Sequence, residues 1–91
     1  MADVHHESVF FTGRVQGVGF RYQTLQVAKG FEVNGWVQNL ADGRVQLEVE
    51  GRQTEVAAFL QAIEEELDGF IRKIERAATS REAQLRGFTI R

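Results

Sequence analysis

The chain has no cysteine and no proline. Without cysteine there is no disulfide, no thiolate nucleophile and no Cys-ligated metal. Without proline, and without any low-complexity stretch or internal repeat, nothing marks a linker. The 91 residues read as one domain, 1–91. A chain of this size buries about 60–65% of its unfolded surface and supports one core. There is no long apolar run and no signal-peptide pattern, so we expect a soluble, cytoplasmic protein with no membrane partner. Basic charge is not in excess either. Eleven basic and thirteen acidic side chains leave a net charge of −2, which argues against nucleic acid as a partner while allowing a local basic pocket. Histidine is scarce. His5 and His6 stand together in the polar stretch Met1–Glu7, which reads as a loosely ordered tail with a solvated pair and no third metal ligand nearby.

What is present centres on Gly13-Arg14-Val15-Gln16-Gly17-Val18-Gly19-Phe20-Arg21. It follows the β-type run Val9-Phe10-Phe11-Thr12 and leads into a helical segment from Tyr22 to Phe31. It therefore reads as a strand-to-helix turn. Glycine tolerates positive φ and lets a ligand approach the backbone. Successive N–H groups in such a turn form a concave anion nest, and the first N–H groups of the helix lack intrahelical partners. Arg21 adds a planar fork that matches phosphate or carboxylate oxygens. The pattern implies a cradle for a phosphate-like dianion. It is also compatible with an ordinary tight connection followed by a surface arginine. The familiar phosphate loops do not fit. There is no Gly-Lys-Ser/Thr run, Tyr22 stands where a dinucleotide loop needs its third glycine, and Val15 stands where a cysteine phosphatase carries its thiolate.

The remaining elements follow from periodicity. Ser8 to Val15 is the first strand, with Val9, Phe11 and Val15 on one face. Arg21 to Phe31 is the first helix, with a stripe of Leu25, Ala28 and Phe31. Val33 to Leu40 and Arg44 to Glu50 are strands joined at Asp42-Gly43, a hairpin signal. In the second of these, Val45, Leu47 and Val49 alternate with Gln46, Glu48 and Glu50, which implies an antiparallel sheet with one wet face. Thr54 to Leu67 is the second helix, with Val56, Leu60, Ile63 and Leu67 on one face. Glu64, Glu65 and Glu66 read as a solvated acidic run near its end, and Asp68-Gly69 as its stop. Phe70 to Thr79 and Leu85 to Arg91 are further strands, with Phe88 and Ile90 on one face. The order strand, helix, strand, strand, helix, strand, plus a terminal strand, is the ferredoxin-like α+β split β-α-β sandwich, with two helices on one face of the sheet.

The second informative stretch is Gly35-Trp36-Val37-Gln38-Asn39-Leu40-Ala41-Asp42-Gly43. The arrangement can bring the end of this strand near the cradle, where the Asn39 amide could hold a water. Alternatively Asn39 is a turn residue bonded to its own backbone. Together the two stretches, with the closing Phe88-Thr89-Ile90-Arg91, resemble the acylphosphatase family over nearly the whole chain. The resemblance implies a ferredoxin-like fold and metal-free hydrolysis of carboxyl phosphates to a carboxylate and inorganic phosphate. It implies that Arg21 holds the phosphoryl group and that Asn39 orients the attacking water. The backbone amides of Gln16, Gly17, Val18, Gly19, Phe20 and Arg21 would complete the cradle. Two positions depart from the commonest pattern: Glu32 stands where a glycine often precedes the second strand, and Leu40 stands where animal members usually carry threonine.

The residues constrain the chemistry independently. No thiol is available, no Ser–His pair is suggested by spacing, and no metal-ligand cluster is visible, so no metal or cofactor is expected. What remains is positioning plus electrostatic stabilisation. An Asn amide is not a general base, so the leaving group must depart without a proton. A carboxylate qualifies, its conjugate acid having a pKa of about 4. The expected partner is a small-molecule acyl phosphate, and nothing demands more than a monomer. The competing expectation is a non-catalytic module of the same fold that binds a phosphorylated metabolite or protein. An RNA-binding version lacks the aromatic pattern such sheets carry.

Overall fold

The computed structural model describes residues 3–91. Along the chain come β1 (Asp3–Gly13), α1 (Phe20–Ala28), β2 (Val33–Asn39), β3 (Val45–Gly51), α2 (Gln53–Glu66), β4 (Ile71–Glu82) and β5 (Phe88–Ile90), with a 3-10 turn at Asp68–Phe70. The five strands form a sheet in the order β4-β1-β3-β2-β5.

The alternation of β1 and β3 decides which side the helices cover. Antiparallel pairing sets Val9 opposite Leu47 and Phe11 opposite Val45. These four side chains, with Val37 and Val49, are buried on one face. Against them pack Val56, Phe59, Leu60 and Ile63 of α2, spaced three and four apart. Each such side chain contributes about 1.5–3 kcal/mol on burial. The inner face of α1 differs from the expected stripe. It is Phe20, Thr24 and Ala28 that are buried, while Leu25 and Phe31 are half-buried. The helix starts one residue earlier than its polar sequence suggests, because Phe20 drops into the core against Phe11, ring centroids 5.1 Å apart. Thr24 is tolerated there because its hydroxyl donates to the Phe20 carbonyl at 2.9 Å.

The expected antiparallel sheet is corrected at one edge, where β5 lies parallel to β2, with Gly35 opposite Phe88 and Val37 opposite Ile90. The reason is the route of the chain after β4. The Glu50 carboxylate accepts the N–H groups of Gln84 (2.7 Å) and Leu85 (2.6 Å), and the Asn34 side-chain oxygen accepts that of Gly87 at 2.8 Å. The chain is led past the ends of β3 and β2, so β5 enters alongside β2 in the same direction. Gly35 is required at this crossing: a Cβ there would collide with the Glu48 carbonyl.

The loosely ordered tail is also corrected. Met1 and Ala2 lie outside the described residues, but Asp3 to Glu7 open β1. His6 is buried, not solvated: Nε2 lies 2.7 Å from Glu48 and Nδ1 lies 3.1 Å from Glu50. His5 lies 2.8 Å from Glu7, which also takes a two-pronged bond from Arg76 at 2.8 and 3.0 Å. The partners were hidden by sequence distance and revealed by register, since His6 pairs with Glu50 and Ser8 with Glu48. Glu50, expected on the wet face, is therefore buried.

Candidate active site

The turn between β1 and α1 is pinned at both ends. Val15 and Phe20 are each 1% exposed, whereas Gly17 and Gly19 between them are exposed. Gly17 and Gly19 have φ of 76° and 78°, the left-handed region that L side chains rarely adopt. Space is not the constraint at either position; backbone conformation is. Gly19 caps α1 without any side-chain hydrogen bond, and the first intrahelical bond runs from the Gln23 N–H to the Gly19 carbonyl at 2.9 Å. The N–H groups of Phe20, Arg21 and Tyr22 precede that bond and sit at the positive end of the helix dipole.

Above this turn is a cavity of about 190 Å³, lined by Val15, Gly17, Gly19, Phe20, Arg21, Tyr22, Asn39 and Ile90. The structure thus brings Arg21 and Asn39 to one cavity from separate elements. Asn39 is the last residue of β2 and is exposed. The β2–β3 turn is closed by the Leu40 N–H donating to the Arg44 carbonyl at 2.8 Å, and the side-chain bond inside it is made by Asp42, whose carboxylate accepts the Arg44 N–H at 3.1 Å. Arg44 also pairs with Asp42 through its side chain at 2.8 Å. Arg44's backbone and side-chain donors hold the Asp42 carboxyl below its ordinary range, against the slight upward push of burial. Among the described residues, Arg21 is the one charged side chain that lines the cavity.

Of the six cradle positions read from sequence, Gly17, Gly19, Phe20 and Arg21 line the cavity; Val18 packs against the core. Gln16 does something the sequence did not announce. Its side-chain amide donates to the carbonyls of Leu40 (2.8 Å) and Arg44 (2.9 Å), on both sides of the β2–β3 turn. It ties the cradle to the hairpin that carries Asn39. A polar residue inside a glycine-rich turn was the available signal, but its partners lie 24 and 28 residues away.

The last residues were also missed as part of the site. The Arg91 N–H donates to the Val37 carbonyl at 2.8 Å, continuing the β2–β5 ladder. Its main-chain oxygen then accepts from Arg21 Nη1 at 2.8 Å, and its guanidinium lies 4.0 Å from the Trp36 ring centroid. One arm of the Arg21 fork is held this way, which orients the rest of the guanidinium.

The element order and sheet place the molecule in the ferredoxin-like α+β class, with a glycine-bearing turn between β1 and α1. The acylphosphatase family model matches residues 7–90. The chain belongs to the acylphosphatase family. It is 39% identical over 64 residues to an acylphosphatase of Methanospirillum hungatei, covering 70% of each chain. It is 47% identical over 60 residues to one from Bacillus pumilus, covering 66% of each. The crystal structure of acylphosphatase from Bacillus subtilis superposes with a TM-score of 0.84 at 28% identity, over 94% of this chain and 97% of that one.

Proposed function

We propose that this acylphosphatase-family chain hydrolyses carboxyl phosphates by direct attack of water on phosphorus. The observation that carries the reading is the convergence of Arg21, Asn39 and the Gly17/Gly19 turn on one cavity. The substrate phosphoryl group sits in the turn, held by the backbone amides of residues 16–21 and by the free arm of Arg21. The Asn39 carboxamide accepts from a water and aims its oxygen at phosphorus, opposite the acyl oxygen. The water-to-phosphorus bond forms while the bond from phosphorus to the acyl oxygen breaks, and the carboxylate leaves with the electron pair. The water's protons pass to the phosphate product and solvent. No side chain needs to protonate the leaving group, because a carboxylate departs as a stable anion. Fixed amide dipoles and one guanidinium stabilise the charge on the equatorial oxygens, the main source of rate acceleration open to such a site.

The test is phosphate release from benzoyl phosphate in excess chelator, repeated in ¹⁸O-water. The label should appear in phosphate and not in benzoate. Arg21→Ala should lose about 2 kcal/mol or more of binding and turnover, the worth of charged hydrogen bonds. Asn39→Ala should lower kcat about 100-fold while leaving inhibition by inorganic phosphate intact. Label in benzoate, or full activity in both variants, would refute the mechanism. Anion binding without turnover in the unsubstituted protein would point instead to a module that only holds a phosphorylated ligand.

A further inference from the structure

The two edges of the sheet are unequal. The β5 edge is 3 residues long. The other edge is β4, 12 residues long, which pairs with β1 and, among the described residues, makes no backbone bond on its open side. Such an edge presents a row of unpaired backbone donors and acceptors to any strand that can match it. Proline, a bulge or a run of one charge would blunt it. β4 has no proline, and the irregularity in its ladder lies at its very start, where Thr12 and Gly13 pair with Lys73 and Ile71. From Ala77 to Ser80 the strand is exposed and uncharged, and the charges flanking this stretch are of both signs.

We propose that β4 is a self-pairing edge: two copies of this chain join their β4 strands antiparallel about a two-fold axis at Ala78, making one sheet continuous across both. The occupant follows from self-complementarity. A two-fold contact sets residue i of one copy against j of the other, and j against i. Residues opposed in an antiparallel pair share a face, so the axis passes through a residue and not between two. Axes at Ile74, Glu75, Arg76 and Ala77 each oppose like charges: Arg72 to Arg76, Glu75 to itself, Arg76 to itself, and Lys73 to Arg81. An axis at Thr79 joins only the stretch 76–82 and draws on Arg76, already bonded to Glu7. The axis at Ala78 joins the stretch 74–82, past the irregular start of the strand. It sets Glu75 of each copy against Arg81 of the other and Ala77 against Thr79, with the small Ala78 side chains on the axis. The remaining pairs, Arg76 with Ser80 and Ile74 with Glu82, oppose no like charges. Both members of the charged pair have capacity to spare. Glu75 makes one long contact, 3.9 Å to Arg44. Arg81 reaches Glu50 through Nη2, while its buried Nε has no acceptor within the single chain. Among the described residues no part of β4 lines the cradle cavity, so both cradles stay open in the pair.

Sedimentation equilibrium of the full chain from about 10 µM to 1 mM tests the association, because a single strand pairing is a small interface at the weak end of the affinity range. The mass should rise to that of two copies and stop there. Ala78→Lys brings two ammonium groups onto the axis and should weaken the pair about tenfold or more, with the melting temperature of the dilute protein unchanged. Because the chain has no cysteine, single cysteines report the register without background. Under mild oxidation Ala78→Cys should cross-link to itself. Ala77→Cys and Thr79→Cys should link to each other when mixed, and far less each to itself. A mass that stays at one copy over the whole range overturns the proposal. So does growth past two copies, which means an open-ended contact. Self-linking of Ala77→Cys or Thr79→Cys above that of Ala78→Cys puts the axis elsewhere and overturns it too. These readouts are mass and cross-linking, so they stand whether or not the chain turns over an acyl phosphate.

Discussion

The two ends of the sheet use polar groups in opposite ways. Where β1 begins and β3 ends, charges of both signs satisfy one another. His6 sits between Glu48 and Glu50, Ser8 donates to Glu48 at 2.7 Å, and Arg81 reaches Glu50 at 3.3 Å. One buried nitrogen there, Nε of Arg81, has no partner. Where β1 and β2 end, the donors are backbone amides ahead of the first helical bond and one guanidinium, with no carboxylate side chain among the described residues of the lining. At the first end the charged groups are bonded mainly to one another. The second sets backbone N–H groups at a helix start and one guanidinium beside a cavity, the kind of arrangement an incoming anion requires. The same strand register builds both, since pairing His6 with Glu50 also puts Phe11 opposite Val45, beside Asn39.

A substitution at the self-satisfied end separates the two most directly. His6→Ala should cost about 2–3 kcal/mol, because two partly or wholly buried carboxylates each lose a partner. For a chain of this length the melting temperature should fall by about 10 °C or more. Measured well below that temperature, kcat/KM for benzoyl phosphate should stay within about twofold. Loss of activity without loss of stability would show that the two ends are not separate in function.

The sequence carried the strongly periodic elements well and the edges poorly. Val45, Leu47 and Val49 alternate, and Val56, Leu60, Ile63 and Leu67 recur at helical spacing, so β3 and α2 lie close to where pattern alone puts them. The stretch 3–7 looked like a tail because, apart from the His5–Glu7 contact, the partners of its polar side chains are distant; Glu48, Glu50 and Arg76 reach it only through strand pairing. The parallel placement of β5 was invisible for a similar reason. It depends on Glu50 and Asn34 catching the N–H groups of a segment more than thirty residues later. At the candidate site, glycine spacing and Arg21 were legible because φ and charge are local properties. The Gln16 brace and the Arg91 main-chain oxygen were not, because each is a contact between distant segments.

Gln16 offers the intermediate test, since it belongs to the cradle but binds the hairpin. Gln16→Leu removes two hydrogen bonds and leaves the carbonyls of Leu40 and Arg44 without that donor. The cost should be about 1–2 kcal/mol. If the brace sets the distance between cradle and Asn39, the loss should fall on kcat, about tenfold, with less change in phosphate inhibition. A variant that melts lower but turns over normally would make Gln16 a stabilising residue only.

The smallest effect at neutral pH, and the sharpest separation of the two ends, comes from acid. Burial pushes the Glu7, Glu48 and Glu50 carboxyls up, but their donors more than offset it. For Glu7 these are Arg76 and His5; for Glu48 they are Gln46, Ser8 and His6. For Glu50 they are the Leu85 and Gln84 N–H groups, His6 and Arg81. All three are held below the ordinary range, so the unfolded chain takes up protons first as pH falls. The stability they confer is complete above the unfolded carboxylate pKa of about 4.3 and is lost as pH drops through the folded values. The cradle behaves differently, because among the described residues its lining holds neither a carboxyl nor an imidazole side chain. We therefore expect kcat for benzoyl phosphate to be flat over about pH 6–8, while the urea midpoint falls only once pH drops below about 4.5. Glu48→Gln should shallow that acid limb and leave the kcat profile unchanged. A kcat rising with a midpoint near pH 6–7 would require an imidazole to reach the reacting phosphoryl group, and would contradict attack by a water that Asn39 only positions.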